Sequence, residues 1–454
     1  MDNIIIKPIA SEISMQSNHI KPSDVISVLK RYINVDGLDI VMDLQKSQGA
    51  YIVDSRHNKI YLDLFSFVAS NPVGLNHPDM NNPEFIEYIG KIALNKPSNS
   101  DIYYVEYAEF VKYFFDTAVP SWFKYSFFIE GGALAVENAL KAAFDWKVRK
   151  NFQKGYKTEI GHKVIHFREA FHGRSGYTLS LTNTDPNKTD YFPKFSWPRI
   201  TNPKIKFPLN EQNLNDVIEK EKLAISEIKQ AIHENKDDIA CIIIEPIQGE
   251  GGDNHFRKEF FEELRNICDE NDLLLIFDEV QTGVGMTGKW WAHEHFVKPD
   301  IISFGKKTQV CGILAGEKLD EVEYNVFRTA SRINSTWGGN TVDMIRFRKY
   351  LEIIKSENLI NNAAIVGEHL LNKLNELQSK YPEILSNARG RGLFCAVDLP
   401  DTETRNIALN KIFENGVIIL GSGTKSLRFR PALNITINQI DEAIEVIEKV
   451  IREL

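Results

Sequence analysis

The stretch Leu273–Gln281 reads LLLIFDEVQ, and a second stretch, Asp300–Lys306, reads DIISFGK. Each contains an apolar run that is too short for a helix and is flanked by polar or turn-forming residues. This pattern is typical of a strand buried on both faces of a parallel sheet. Asp278 and Lys306 stand at the ends of the two runs. Because ligands of open α/β sheets bind outside the carboxyl ends of the strands, both side chains are predicted to enter one site.

An acid beside an amine indicates a particular chemistry. A lysine can form a Schiff base with an aldehyde, and a carboxylate can keep a pyridine nitrogen protonated. The two strand ends therefore predict an enzyme that uses pyridoxal 5'-phosphate. The pattern allows either Lys306 or Lys307 to form the Schiff base. Since side chains alternate along an extended chain, only one of them can face the crevice, and the other is expected to be solvated.

Composition sets the broad class of the protein. The chain has 454 residues, 43% hydrophobic and 26% charged, which suggests two or three domains with large cores. The net charge of −8 argues against a nucleic-acid partner. No apolar run reaches the length of a membrane span, and the N-terminus has no signal-like segment. We expect a cytoplasmic protein without a membrane partner, whose four scattered cysteines are buried free thiols.

The order of local patterns predicts an α/β protein with a second, smaller α/β domain. A hairpin pattern spans residues 49–73, and strands alternate with helices from Lys124 onwards. After a long helical stretch at 341–379 come the short strand patterns GLFCAVDL, GVIIL and SLRFR and a closing helix. We expect residues 1–79 to contribute to the small domain, 80–345 to form the large domain with a mainly parallel sheet, and 346–454 to form the C-terminal small domain.

Five predicted strands in the middle of the chain end at polar or glycine-rich loops, after Ile129, Phe167, Ile244, Phe277 and Phe304. Five such ends together favour a binding site over ordinary turns. The first leads through glycines into a predicted helix, whose bare N–H groups suit a phosphate. In the loop after the second, His172 is a further candidate for the site, and Phe171 offers an aromatic face for stacking.

Two other motifs suggest different functions. The stretch 283–289, GVGMTGK, nearly fits a nucleotide-binding loop, so a non-catalytic nucleotide-binding module stays an alternative. Trp290 stands where a magnesium-binding Ser or Thr is needed, which weakens that interpretation. His293 and His295 are two residues apart, not at the i, i+4 spacing of a zinc pair. We predict surface histidines there and no metal site.

Longer segments resemble a known family. FIEGGALAVENALKAAFDWK, AFHGRSGYT, EPIQGEGGD, IFDEVQTGVGMTG, PDIISFGKKTQVCG, NSTWGGN and SLRFRPAL are similar to segments of class III aminotransferases, and the likeness runs from about Gln45 to the C-terminus. The resemblance implies the pyridoxal-phosphate-dependent transferase fold (aspartate aminotransferase-like, fold type I) and a homodimer with shared active sites. It also implies transfer of the ε-amino group of L-lysine to 2-oxoglutarate.

The resemblance assigns roles to the cofactor-binding residues. Lys306 would form the internal aldimine, Asp278 would pair with the pyridine nitrogen, and Phe171 would stack on the ring. The contacts to the ring hydroxyl and to the phosphate would come from Gln281, from the backbone of Gly132 and Ala133, and from Thr336 acting on the partner subunit's cofactor. Relatives carry a Ser or Thr in the phosphate loop where this chain has Gly131 and Ala133. The backbone is therefore expected to do more of the binding here.

The substrates differ in charge, and this predicts a switch. Glutamate brings two carboxylates, for which Arg174 and Arg428 are the candidates by resemblance. Lysine brings one carboxylate, which the same resemblance assigns to Arg174. Arg428 would then have no partner, and an unpaired buried guanidinium costs several kcal/mol. Glu250 is predicted to pair with Arg428 for lysine and to swing away for glutamate. Asn334 and Ser335 are predicted to lie near the substrate.

Residue chemistry alone does not choose among the possible substrates. One methylene is worth about 1–3 kcal/mol of discrimination, so ornithine and 4-aminobutyrate remain alternatives to lysine. A different pyridoxal-phosphate reaction, such as that of a decarboxylase, racemase or aminomutase, is a more distant alternative. The preference for lysine rests on the resemblance.

Overall fold

The two strands that carry Asp278 and Lys306 lie side by side inside a seven-stranded sheet. The computed structural model describes residues 20–454. In chain order the strands are β1 (Tyr51–Asp54), β2 (Lys59–Asp63), β3 (Phe123–Ile129), β4 (Lys163–Phe167), β5 (Arg199–Ile200), β6 (Ile239–Ile244), β7 (Leu274–Asp278), β8 (Ile301–Phe304), β9 (Cys311–Gly316), β10 (Ser386–Arg391), β11 (Phe394–Asp398), β12 (Val417–Ile418), β13 (Leu420–Ser422) and β14 (Ser426–Phe429). The large sheet has the order β3-β9-β8-β7-β6-β4-β5.

Most neighbours in this sheet are parallel. The pairs β4–β5, β4–β6, β6–β7 and β7–β8 are parallel, and β9 runs antiparallel to both β8 and β3. Every residue of β6, β7, β8 and β9 is buried. Burial on both faces explains why these strands are continuous apolar runs instead of alternating ones. The predicted α/β architecture with a mainly parallel sheet is confirmed.

Helices cover both faces of the sheet. They are α1 (Val25–Leu29), α2 (Ser66–Ala69), α3 (Pro83–Ala93), α4 (Val105–Ala118), α5 (Gly132–Gln153), α6 (Gly176–Leu181), α7 (Pro186–Thr189), α8 (Glu211–Asn235), α9 (Lys258–Glu270), α10 (Thr341–Ser356), α11 (Leu359–Lys380), α12 (Thr402–Glu414) and α13 (Ile437–Arg452). On α5, Val136, Leu140 and Ala143 pack in one cluster with Ile276 of β7. The neighbouring strand residues Leu275 and Phe277 point the other way and pack with residues of α9 and α10.

Two smaller sheets accompany the large one. The hairpin β1–β2 forms as predicted, and β12, from near the C-terminus, adds to it in parallel. The second small sheet is antiparallel, with the order β10-β11-β14-β13. The division at 79 and 345 stays a prediction; residues 1–19 of its first segment lie outside the described range, and residue 345 lies within α10.

Two expectations about polar residues were wrong. Lys307 is buried, not solvated, and its Nζ donates hydrogen bonds to the carbonyl oxygens of Ala69 (3.3 Å) and Gln281 (2.8 Å). His293 is buried, not at the surface, and its Nδ1 lies 2.9 Å from Oε1 of Glu279. In both cases a fixed polar partner replaces water, which allows a polar side chain into the core.

The remaining features concern cysteines, metals and membranes. All four cysteines are buried and free, as predicted. Among residues 20–454, no cluster of three or more His, Cys, Asp or Glu side chains could hold a metal ion. Over the same range, no helix combines the length and apolar character required to cross a membrane.

Candidate active site

A cavity of about 420 Å³ lies at the carboxyl ends of the parallel strands. Nine residues predicted for the site line it: Gly132, Ala133, Phe171, His172, Arg174, Glu250, Asp278, Gln281 and Lys306. The other lining residues are Gly173, Ser175, Glu245, Ile247 and Val280. The strand ends therefore meet where the sheet topology predicts.

Asp278, the last residue of β7, is held on both carboxylate oxygens. Oδ1 accepts hydrogen bonds from the backbone N of Val280 and from Oγ of Ser303, each at 3.1 Å. Oδ2 lies 2.8 Å from Nδ1 of His172. The side chain is 5% exposed. These contacts fix the orientation of a carboxylate that burial would otherwise destabilise.

Lys306 begins a 3₁₀ turn directly after β8 and Gly305, and its own φ is +56°. A left-handed conformation is unusual for a residue with a side chain, and such strain concentrates at functional sites. Burial lowers the pKa of the Lys306 amine; the charge of Asp278 opposes this shift and that of Arg428 adds to it. The lowered pKa favours the neutral amine, which is the nucleophilic form.

The helix α5 begins at the cavity, where its first residues, Gly132 and Ala133, form part of the wall. Gly131 has a φ of +100°, which favours glycine, and the helix starts at the next residue. A Cβ atom at Gly132 would lie only 2.9 Å from Cγ1 of Val280. Glycine at position 132 therefore lets the start of α5 lie close to the residues that follow β7. Backbone N–H groups at the positive end of a helix are suited to an anion.

Glu245 is a site residue that the sequence analysis missed. Its Oε1 accepts a hydrogen bond from the backbone N of Phe171 (2.9 Å), and its Oε2 accepts one from the N of Gly249 (3.0 Å). It thereby ties together two loops of the cavity. Burial raises the pKa of Glu245 to about 7, although His172 and the two backbone donors act in the other direction. The available signal was a charged residue directly after an apolar strand, the same signal that identified Asp278.

Arg428 lies in β14 and is 5% exposed. Its Nη2 lies 3.1 Å from Oε2 of Glu250, so the predicted pair is present. Within residues 20–454, Nε and Nη1 of Arg428 have no hydrogen-bond partner. Buried guanidinium donors without partners are costly, and a carboxylate ligand would satisfy them.

Glu250 has a second cationic partner that the sequence analysis missed. Its Oε1 lies 2.5 Å from Nζ of Lys188, in the short helix α7. Burial by itself raises the pKa of Glu250, but the charges of Arg428 and Lys188 bring this pKa below its ordinary value. Glu250 is therefore ionised near neutral pH. Lys188 lies in a polar segment of the sequence, 183–212, where no pattern distinguishes it from solvated lysines.

Arg174 and Gln281 occupy other parts of the cavity wall. Arg174 is exposed and lines the cavity. Oε1 of Gln281 accepts a hydrogen bond from Nε of Arg430 at 3.0 Å. Arg430 is itself buried in an ion pair with Asp253 at 2.7 Å, another interaction that the sequence did not indicate. This pair therefore fixes one face of Gln281.

Asn334, Ser335 and Thr336 are not among the residues that line the cavity, within the part of the chain that the structure describes. Asn334 and Thr336 are exposed. The segment is attached to residues 98–100, since hydroxyls of Ser98 and Ser100 donate to the carbonyl oxygens of Thr336 and Ser335. Their predicted roles therefore stay predictions.

Residues 32–451 match the family described as aminotransferase class-III. The chain belongs to this family. The class-III chain is 49% identical to an L-lysine-epsilon aminotransferase of Mycobacterium tuberculosis, over 97% of this chain and 98% of that protein. It is 48% identical to one from Streptomyces clavuligerus, over 93% of each chain. Human mitochondrial 4-aminobutyrate aminotransferase is 32% identical, over 88% of this chain and 82% of that protein.

A solved structure agrees with the sequence comparison. Lysine aminotransferase from M. tuberculosis in the internal aldimine form superposes with a TM-score of 0.93 at 49% identity, covering 95% of this chain and 99% of that one. The pyridoxal-phosphate-dependent transferase fold is thus confirmed, and pyridoxal 5'-phosphate is the cofactor of this class-III chain. Its cavity fits the cofactor, since it combines a buried carboxylate, an amine of lowered pKa, an aromatic side chain and a helix N-terminus.

Proposed function

We propose that this class-III aminotransferase transfers the ε-amino group of L-lysine to 2-oxoglutarate, giving L-2-aminoadipate 6-semialdehyde and L-glutamate. The observation that carries the proposal is the contact between Arg428 and Glu250. It joins a carboxylate on a loop to a buried guanidinium, two of whose donor atoms have no hydrogen-bond partner among residues 20–454. When the two side chains are paired, their charges cancel and a methylene chain can lie beside them. When they separate, the guanidinium is free to bind a carboxylate. The 49% identity to curated lysine aminotransferases supports the choice of lysine.

The cofactor, when bound, supplies an aldehyde carbon that takes the amino group and a ring that delocalises electrons. Asp278 would hold the proton on the ring nitrogen, and His172 would orient Asp278 through its Nδ1. Phe171 would lie on the ring face. The N–H groups of Gly132 and Ala133 would bind the phosphate, and Gln281 would contact the ring hydroxyl.

Lys306 would hold the cofactor covalently and then move the proton. Its Nζ would accept a proton from the substrate carbon that bears the amino group and return it to the cofactor carbon. The lowered pKa of its amine favours the acceptor form. Arg174 would bind the carboxylate that both substrates share.

A homodimer is part of the proposal. Thr336 would act across the subunit interface, on the cofactor phosphate of the partner, and Asn334 and Ser335 would lie near the substrate. The exposure of Thr336 in the single chain supports its role, because a residue that serves another subunit must lie at the surface. A cytoplasmic location also stays a prediction.

The decisive experiment compares half-reactions. The purified holoenzyme is mixed with L-lysine, L-ornithine or 4-aminobutyrate alone, and the cofactor absorbance is followed. We expect L-lysine to convert the cofactor to its aminated form with the highest kcat/KM, and the reaction to stop until 2-oxoglutarate is added. If kcat/KM were higher for ornithine or 4-aminobutyrate than for lysine, that compound would be the preferred substrate. Continued turnover without a keto acid would indicate a decarboxylase or racemase.

The switch has its own test in Glu250→Ala. The variant leaves Arg428 unpaired while lysine occupies the site, so we expect the lysine half-reaction to fall more than the glutamate half-reaction. An equal fall in both would reject the switch.

A further inference from the structure

We propose that Lys188 is a positioning residue for the two-substrate site, holding the Glu250 carboxylate when it leaves Arg428. This inference rests on the proposed function, in which Glu250 pairs with Arg428 for one substrate and not for the other. Lys188 would then set how readily the site accepts the second carboxylate of glutamate or 2-oxoglutarate.

The geometry of the Glu250 carboxylate supports this role. Glu250 uses its two oxygens for two different cations: Oε2 lies 3.1 Å from Nη2 of Arg428, and Oε1 lies 2.5 Å from Nζ of Lys188. Glu250 can therefore release one partner and keep the other. A rotation about its side-chain bonds would break the contact to Arg428 without removing the contact to Lys188.

Lys188 keeps the charge of the Glu250 carboxylate paired when this group leaves Arg428. Moving a largely buried carboxylate away from its only cation costs several kcal/mol of free energy, and this cost would oppose binding of the diacid. With Lys188 in contact, the carboxylate stays paired in both positions. The freed guanidinium of Arg428 has two donor atoms without protein partners in the described chain, and these can donate hydrogen bonds to the incoming carboxylate.

Local contacts hold Lys188 in place. It lies on α7, whose N-cap Asp185 accepts a hydrogen bond from the N of Asn187 at 2.9 Å. The next residue, Thr189, is buried, and its carbonyl oxygen accepts a hydrogen bond from Nζ of Lys194 at 2.5 Å. Nζ of Lys188 also lies 5.8 Å from the ring centre of Phe171, which lines the cavity. The side chains of Lys188 and Glu250 are each only 26% exposed.

The test separates the two half-reactions in Lys188→Met. Without Lys188, Glu250 has Arg428 as its remaining cationic contact, and Arg428 stays occupied. We expect KM for L-glutamate and for 2-oxoglutarate to rise about fivefold, a coupling typical of residues in one charge network, with KM for L-lysine within about twofold of wild type. Lys188→Arg should restore both values. Equal changes in both half-reactions, or no change in either, would overturn the proposal.

Two controls exclude a purely structural effect. Lys194→Met removes a neighbouring lysine that supports α7 without touching Glu250, and it should leave the ratio of the two KM values unchanged. In a Glu250→Ala background, Lys188→Met should have no further effect on that ratio, since its partner is gone; a persistent effect would overturn the proposal. If the wild type fails to use L-lysine but the glutamate half-reaction still responds to Lys188→Met, the proposed function fails and the role of Lys188 at the second carboxylate remains.

Discussion

Nδ1 of His172 lies 2.8 Å from Oδ2 of Asp278, and both side chains are buried. The other carboxylate oxygen of Asp278 accepts two further hydrogen bonds. The acid is thus held by three polar contacts in the protein alone. Such a preorganised carboxylate can stabilise a positive charge without reorienting during the reaction.

Asp278→Asn should separate charge from shape at this position. The amide keeps the volume of the side chain, but its NH₂ group must face a donor of His172, Val280 or Ser303. We expect kcat for the lysine half-reaction to fall about 10²- to 10³-fold, the range for removing a preorganised electrostatic contact. Stopped-flow absorbance measures it, and circular dichroism checks the fold. A fall of less than tenfold would contradict the assigned role.

The adjacent lysines should respond in different ways. Lys306→Ala removes the amine that enters the cavity, so borohydride reduction and peptide mass mapping should find no cofactor attached to the chain. We expect the half-reaction to slow by about 10²- to 10⁴-fold or more, with the fold intact. Lys307→Met should instead lower Tm, because the buried carbonyl oxygen of Ala69 and the part-buried one of Gln281 lose their donor, at a cost of up to about 1–3 kcal/mol each. Cofactor attachment at residue 307 in the wild type would reverse these assignments.

Arg428→Gln should discriminate between the substrates. The diacid loses a charge-assisted contact worth about 1.5–3 kcal/mol, which predicts a rise in KM for 2-oxoglutarate of roughly 10- to 150-fold. Lysine does not need this guanidinium, and its KM should change less than about threefold. Steady-state kinetics with each substrate varied in turn provides the measurement. A larger loss for lysine than for 2-oxoglutarate would contradict the proposed arrangement.

Glu245 should make stability depend on pH. Its pKa is raised from 4.5 to about 7 in the folded protein. Between these values the folded state binds a proton that the unfolded state has released, so this group's contribution to stability falls as pH rises from 5 to 8. The loss is on the order of 3 kcal/mol. The Glu245→Gln variant lacks this pH-dependent loss of stability, although it loses one of the two backbone hydrogen bonds at every pH.

The measurement for Glu245 is the difference in Tm between wild type and variant at pH 5, 6, 7 and 8. Wild type should lose Tm relative to Glu245→Gln across this series. Glu234→Gln alters a glutamate at the exposed end of α8 and should give a constant difference from wild type. A constant difference for Glu245→Gln as well would mean that the folded-state pKa is not raised.

The sequence predicted the elements whose signal is local. Strands β7 and β8 are continuous apolar runs, and the residues at their ends are charged, so both the strands and Asp278 and Lys306 could be identified from their immediate neighbours. Glu245 carries the same signal after β6. The resemblance assigns this residue no role, so the local signal alone pointed to it.

Residues whose burial depends on distant partners were not predicted. Lys307 can be buried because its amine donates hydrogen bonds to the carbonyl oxygens of residues 69 and 281. His293 can be buried because its ring nitrogen contacts the carboxylate of Glu279. Lys188 contacts Glu250 across 62 positions of sequence, from a segment with no periodic pattern. Whether such a residue is buried depends on tertiary contacts, and local sequence patterns carry no information about those contacts.

The parallel pairing of β2 with β12 has a consequence for how the protein is made. Leu62 and Asp63 pair with Val417 and Ile418, near the opposite end of the chain. During synthesis the hairpin leaves the ribosome long before its third strand, and its edge stays open until residues 417 and 418 have been translated. A nascent chain stalled before residue 417 would therefore expose an unpaired strand to chaperones and to other chains.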